Sequence, residues 1–319
     1  MFPELVTIGE TMVMFEADSD GPLRYVPQFN KRHGGAESNV AIGVTRLGHS
    51  AGWISQVGDD ELGKFLVSAI RGEGVDTSRV TYNGHYPTGL YIKERIREGS
   101  TQVYYYRKGS AASQMDHNAI DWEYIKQAKV VHLTGITPFL SQNCLELVNR
   151  VVEFVKENHI LLSFDPNLRY KLMADFPNAK EIVIELAKQA DLFMPGIDEA
   201  EYLIGTRDYE EIADYFLQSG VKKICIKNGD KGTYFQSIEG EKGFLPSFKV
   251  DRVIDPVGAG DGFAAGVISG LLEEKSLEES VTIGAKIGAM VVQVKGDIEG
   301  LPERRALDQF TGKETDVLR

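Results

Sequence analysis

Two rhythms of apolar and polar positions take turns along this chain. Short strand-like segments, Val6–Glu10, Ala51–Val57, Val130–Thr134, Ile160–Asp165, Leu192–Met194 and Lys223–Lys227, are separated by stretches with helical spacing. In Asp60–Arg71, the residues Leu62, Phe65, Leu66 and Ile70 fall on one face of a helix. A further helix is predicted after Gly34-Gly35, running through Leu47 and stopped by Gly48. Strands that alternate with helices are joined by crossovers rather than hairpins. The pattern therefore predicts an α/β fold, a doubly wound and mostly parallel sheet with helices on both faces.

Two stretches break the alternation. Thr11–Val26 and Thr88–Tyr106 are rich in β-formers with no helix between them. Gly89–Arg97 and Gln102–Arg107 read as a hairpin turning around Glu98-Gly99-Ser100. Segments of about 11–33 and 86–110 are therefore expected to form a small β-sheet that projects from a single α/β domain of residues 1–319 and covers a cleft. Its exposed face is expected to pair with a second copy, giving a homo-oligomer. No internal repeat, low-complexity tract or long linker interrupts the chain, and residues 313–319 are expected to be loosely held.

Composition narrows the function classes. The 319 residues can bury a large core, and the net charge of −12 argues against nonspecific nucleic-acid binding. No apolar run reaches membrane-spanning length and the N-terminus has no basic region before its first strand, so a cytoplasmic protein without a signal peptide is expected. Two cysteines, Cys144 and Cys225, offer neither a disulfide framework nor metal spacing, and the six histidines are scattered.

The segment richest in chemistry is Asp255-Pro-Val-Gly-Ala-Gly-Asp-Gly-Phe-Ala-Ala-Gly266. Gly258, Ala259 and Gly260 have side chains small enough for a ligand to approach their N–H groups. A helix from about Asp261 aims its free N–H groups at the same place, which makes an anion site. Asp261 stands inside that site, where it would repel bound phosphate. Its simplest task is to take a proton from a hydroxyl that attacks the phosphate. A plain glycine turn with a capping Asp is the competing reading. The glycine spacing differs from G-x-G-x-x-G, and no Walker-type phosphate loop occurs.

Gly34-Gly35-Ala-Glu-Ser-Asn-Val-Ala41, ending in Arg46-Leu-Gly48, resembles the N-terminal signature of the ribokinase-like (PfkB) carbohydrate kinases, and Asp255–Gly266 resembles their C-terminal one. The resemblance spans nearly the whole chain. It implies the ribokinase-like fold, ATP and Mg²⁺ as phosphoryl donor, and a sugar as acceptor. Thr88-Gly-Leu-Tyr91, Tyr104–Ala111, His132–Pro138, Asp165-Pro-Asn-Leu-Arg169 and Lys295-Gly-Asp297 resemble the members that phosphorylate a ketodeoxy sugar acid. Neutral sugars such as fructose are the alternative acceptors.

The implied roles can be placed residue by residue. Gly34, Gly35 and Asn39 would meet the sugar, although a strand–helix turn explains them too. Tyr91, Tyr105 and Arg107 would reach the substrate from the small sheet, where Arg107 could pair with a carboxylate; aromatic–cation packing on an exposed face is the other reading. Arg169 would hold phosphate or the sugar carboxylate, unless it forms a surface ion pair. Asn167 would contact a phosphate or its metal shell. Lys227, Gly229 and Gly232, within Lys227-Asn-Gly-Asp-Lys-Gly232, resemble the nucleotide-contacting turn and also read as a simple β-turn. Glu199 would act on Mg²⁺ through water, but Gly196 stands where the family's Asn-x-x-Glu motif has Asn. Asp297 would bind a substrate hydroxyl from the end of a long helix beginning near Leu277. The resemblance also raises a K⁺ site with Asp255 as a ligand, which this chain's residues leave open.

Overall fold

The computed structural model describes residues 2–97 and 100–310. In chain order its strands are β1 Leu5–Ile8, β2 Met12–Ala17, β3 Phe29–Gly34, β4 Ala51–Gly58, β5 Val80–Asn83, β6 Leu90–Arg97 and β7 Ser100–Tyr106, then β8 Val130–Thr134, β9 Leu161–Asp165, β10 Leu192–Phe193, β11 Lys223–Lys227, β12 Gly232–Ser237 and β13 Lys242–Pro246. Nine of them form one sheet in the order β13-β12-β11-β10-β9-β8-β1-β4-β5. Neighbours from β11 to β5 are parallel. The hairpin of β12 and β13 adds an antiparallel edge.

Apolar side chains fill both faces of this sheet, as the alternation predicts. Trp53, Val40, Ile42, Phe263, Val267 and Ile287 lie in one core. Leu147, Val151, Phe164, Phe193 and Phe216 lie in the other. The helix Ala259–Leu272 is sandwiched deeply enough that Gly262 through Gly270 are all buried. The helix Ala36–Arg46 ends one residue short of the predicted last helical residue, Leu47, and Asp60 caps the helix Glu61–Gly72 by accepting from the Gly63 N–H at 2.7 Å.

The connectivity creates a crevice. From β1 the chain runs to β4 and β5 on one side, then returns to β8 on the other. Loops diverge at such a reversal, which leaves space beyond the carboxyl ends of the strands.

The two β-rich excursions form the second sheet, ordered β3-β2-β6-β7. β6 and β7 pair antiparallel with Tyr91 opposite Tyr105, and β2 runs parallel to β6 with Met14 opposite Tyr91. Met12, Met14 and Tyr91 are buried together on one face with Val103 packed against them. Tyr104 and Tyr106 are exposed. The predicted turn at Glu98-Gly99 and the tail 313–319 lie outside the described residues. Among those residues no helix is long and apolar enough to cross a membrane.

Candidate active site

A cavity of about 360 Å³ opens where the carboxyl ends of β1, β9 and β11 meet the inner face of the small sheet. Sequence reasoning named most of its lining. Gly34, Gly35, Asn39, Tyr91, Tyr105, Arg107, Asn167, Arg169, Glu199, Lys227, Gly258, Gly260, Asp261 and Asp297 all border it. The phosphate-loop candidates and the sugar candidates, far apart in sequence, thus face one space.

Asp261 sits in the first turn of the helix Ala259–Leu272. The first closing bond of that helix is Gly262 N–H to the Gly258 carbonyl at 2.8 Å, so the N–H groups before it have no partner within the helix. Gly258 takes a left-handed backbone, φ 79°, and a Cβ there would lie 2.2 Å from the Asp297 carbonyl oxygen. Only glycine meets both demands. Asp261 accepts a hydrogen bond from the Asn39 amide at 2.8 Å. Burial pushes its carboxyl up to about 7; Asn39 opposes the shift, and the nearby charges of Asp165 and Asp297 add to it. A carboxylate held near neutrality can take and return a proton at ordinary pH.

Asp297 differs from expectation in its setting. The helix Leu277–Val291 ends well before it, and Asp297 lies in the loop after a bend at Gly296 rather than in a helical last turn. It is buried, and the Tyr91 hydroxyl donates to its Oδ2 at 3.4 Å. Burial raises its carboxyl to about 6; Lys93 opposes this and Asp255 adds to it. Gly34 permits the arrangement, because a Cβ there would fall 2.3 Å from both Asp297 Oδ2 and the Tyr91 hydroxyl. Asp297 Oδ1 and Asn39 Oδ1 are buried and have no hydrogen-bond partner. Two unsatisfied acceptors in residues that border one cavity are suited to the hydroxyls of a polyol.

The cations of the cavity fall into two kinds. Arg107 donates through Nε to Glu10 Oε2 at 2.7 Å, and Glu10 is fully buried and also bonded to Ser110 at 2.5 Å. Lys227 pairs with Asp165 at 2.5 Å, and Lys93 with Asp255 at 2.6 Å. Arg169 has no carboxylate partner among the described residues; its one polar contact is from Nη1 to the Leu168 carbonyl at 3.3 Å. The surface-ion-pair alternative for Arg169 is therefore not what forms. Next to it, Asn167 holds a left-handed φ of 36°, with its N–H on Asp165 Oδ1 at 3.1 Å.

Four named residues sit elsewhere than the cavity lining. Gly229 and Gly232 form the turn into β12, closed by Asn228 N–H to the Gly232 carbonyl at 2.8 Å. The β-turn reading describes them. Ala259 is the first residue of the helix, and its N–H is turned to the Pro256 carbonyl at 3.4 Å. Asp255 is turned toward Lys93.

Glu199 borders the cavity, but its two oxygens accept from the Gly196 N–H at 2.7 Å and the Leu168 N–H at 2.8 Å. Gly196 replaces Asn without loss of the cap, since Glu199 reaches back to its N–H. Burial and the charge of Asp165 raise the Glu199 carboxyl, against Lys227. No group of three metal-ligating side chains occurs among the described residues. With both Glu199 oxygens held by backbone N–H groups, a Mg²⁺ ion carried in on a phosphate ligand would be met by this carboxylate through water rather than directly.

Sequence reasoning passed over Glu10, Lys93 and Asp165. Each had a signal. Glu10 follows β1 at its carboxyl end. Lys93 lies two residues from Tyr91 and so shares its face of β6. Asp165 opens the segment Asp165-Pro-Asn-Leu-Arg169 that also carries Asn167 and Arg169.

The model of the pfkB family carbohydrate kinases matches residues 3–304. A 2-dehydro-3-deoxygluconokinase from Bacillus subtilis is 44% identical over 315 residues, 98% of this chain and 97% of that protein. Another from Thermoproteus tenax is 34% identical over 309 residues, 96% of this chain and 93% of that protein. An E. coli protein provisionally assigned as a ribokinase II, solved in complex with ATP and Mg²⁺, superposes with a TM-score of 0.89 at 27% identity, covering 96% of this chain and 98% of that one.

Proposed function

The chain belongs to the pfkB family of carbohydrate kinases and is an ATP-dependent sugar kinase, and we propose that its acceptor is 2-keto-3-deoxygluconate, phosphorylated on its terminal hydroxyl. This sugar acid is the 2-dehydro-3-deoxygluconate of the relatives' names. The observation that carries the choice is Arg169, whose guanidinium has no carboxylate within ion-pair distance among the described residues. The other three cavity cations already face carboxylates, so an entering carboxylate finds Arg169 and the outer edge of Arg107.

The residues divide the work as follows. The N–H groups of Gly258 and Gly260 meet the γ-phosphate of MgATP at the helix N-terminus. Lys227, Asn167 and Glu199 face the phosphates and their metal shell. Asn39 and Asp297 accept from sugar hydroxyls, and Asp297 is itself fixed by Tyr91. Asp261 takes the proton from the terminal hydroxyl as its oxygen attacks the γ-phosphorus. The new O–P bond forms, the bond to the β,γ-bridging oxygen breaks, and ADP leaves. The small sheet acts as a lid that keeps water from the same attack.

An acceptor panel tests the substrate. ADP release in a coupled assay is expected to be fastest with 2-keto-3-deoxygluconate, ahead of its galactonate-derived epimer, fructose, ribose and adenosine. A rice fructokinase is 32% identical to this chain, which keeps fructose as the second reading. Faster turnover of fructose than of the sugar acid would replace the first reading with it.

The pH profile tests the base. With Asp261 raised to about 7, kcat/KM should climb close to tenfold per pH unit below neutrality and level off above about pH 8. A profile that is flat from about pH 5.5 to 8 would remove Asp261 from the role of base.

A further inference from the structure

Asp255 does not fit the K⁺ ligation that the family resemblance raised. Its Oδ2 is held by the Lys93 ammonium at 2.6 Å, and its Oδ1 accepts from the Val257 N–H at 3.2 Å. Both side chains of the Lys93–Asp255 pair are only 10% exposed. A fixed ammonium at that distance repels a second cation, and the carboxylate oxygens are already engaged.

We propose that Lys93 supplies the positive charge that a monovalent cation would otherwise bring to the glycine loop, so that phosphoryl transfer here is independent of K⁺. The pair joins the two sheets. Lys93 comes from β6 of the small sheet, and Asp255 begins the loop that ends at Gly258. That loop is pinned on its other side, where Ile254 and Asp255 N–H groups meet the Val292 carbonyl at 2.7 and 3.2 Å. Two residues before Lys93 on the same strand face, Tyr91 reaches Asp297. One strand thus braces both walls of the anion site.

The charge arithmetic agrees. Asp255 and Asp297 lie near each other beside a pocket that must accept a polyanionic phosphate. Lys93 neutralises the first directly and lowers the proton affinity of the second. A dissolved cation must be drawn from solution at an affinity cost, whereas a lysine on the small sheet arrives whenever that sheet is in place. Lys93 is therefore a positioning residue: it holds the loop whose N–H groups meet phosphate, and it touches no reacting atom.

The test uses the full-length enzyme with MgATP and 2-keto-3-deoxygluconate, at constant ionic strength set with choline chloride or KCl. If the acceptor panel selects fructose, the same comparison runs with fructose, so failure of the substrate reading stays separate from failure of this one. The wild-type kcat/KM should change less than about twofold between the two salts. Lys93→Met should lose roughly 10²-fold in choline, because it strands a buried carboxylate beside the anion site. KCl should then restore about tenfold or more, and should raise the Tm of Lys93→Met but not of the wild type. A saturable K⁺ activation of the wild type would overturn the proposal. So would a folded Lys93→Met that keeps full activity, or one that KCl does not restore. Should Lys93→Met fail to fold, Lys93→Arg decides: it is expected to be active and indifferent to K⁺, and K⁺ dependence in it would overturn the proposal as well.

Discussion

Asp261→Asn is expected to abolish sugar phosphorylation while leaving the fold and ATP binding in place. The amide has the shape of the carboxylate and can still accept from Asn39, whose amide lies 2.8 Å from the native side chain. It cannot take a proton. Loss of a general base typically costs 10²–10⁴-fold, or about 3–5 kcal/mol of barrier. Retention of more than about a tenth of the wild-type kcat would sink the assignment.

The same substitution has a signature in stability that a merely damaged protein would not share. Burial holds the native Asp261 carboxyl at about 7, above its ordinary value of 3.8. Between those values the native state keeps a proton that the unfolded chain has released. Stability from this group is therefore present at low pH and lost as pH rises through 7. Asparagine carries no such penalty. Asp261→Asn should melt above the wild type at pH 8 and level with it near pH 4. Equal melting temperatures at both pH values would show that the carboxylate is not strained by its burial.

The fold was legible because its signals are local. The helix from Asp60, the helix after Gly35 and the strands Val130–Thr134 and Lys223–Lys227 each carry their own period and their own stops. β3 was harder. Its Asn30, Lys31, Arg32 and His33 show no apolar alternation, and it becomes a strand by pairing with β2. The hairpin of β12 and β13 was hidden for a similar reason, since the pattern of exposed and covered positions in Lys242–Pro246 is set by the neighbouring strand. In the site, single residues were legible where chemistry demands a type, such as Asp261 or the glycines beside it. Pairings were not. Nothing in the spacing of Glu10 and Arg107, or of Lys93 and Asp255, says that they meet, because each contact closes only when the small sheet folds over the large one.

That blind spot changes what a substitution at Arg107 must be expected to do. Arg107 faces the cavity, but its Nε and one terminal nitrogen are committed to Glu10, which is completely buried. Arg107→Ala should raise KM for 2-keto-3-deoxygluconate by roughly 10²-fold, because a desolvated carboxylate loses a partner. It should also lower stability by several kcal/mol, because Glu10 is left charged without its cation. The two losses have different causes and can be separated. Removing both members, in Arg107→Ala with Glu10→Ala, takes away the stranded charge and should recover much of the lost Tm. It returns no cation to the cavity, so KM for the sugar acid should stay high while turnover of fructose changes little. If the double variant recovers KM together with Tm, Arg107 serves only to balance Glu10, and reading of the carboxylate falls to Arg169 alone.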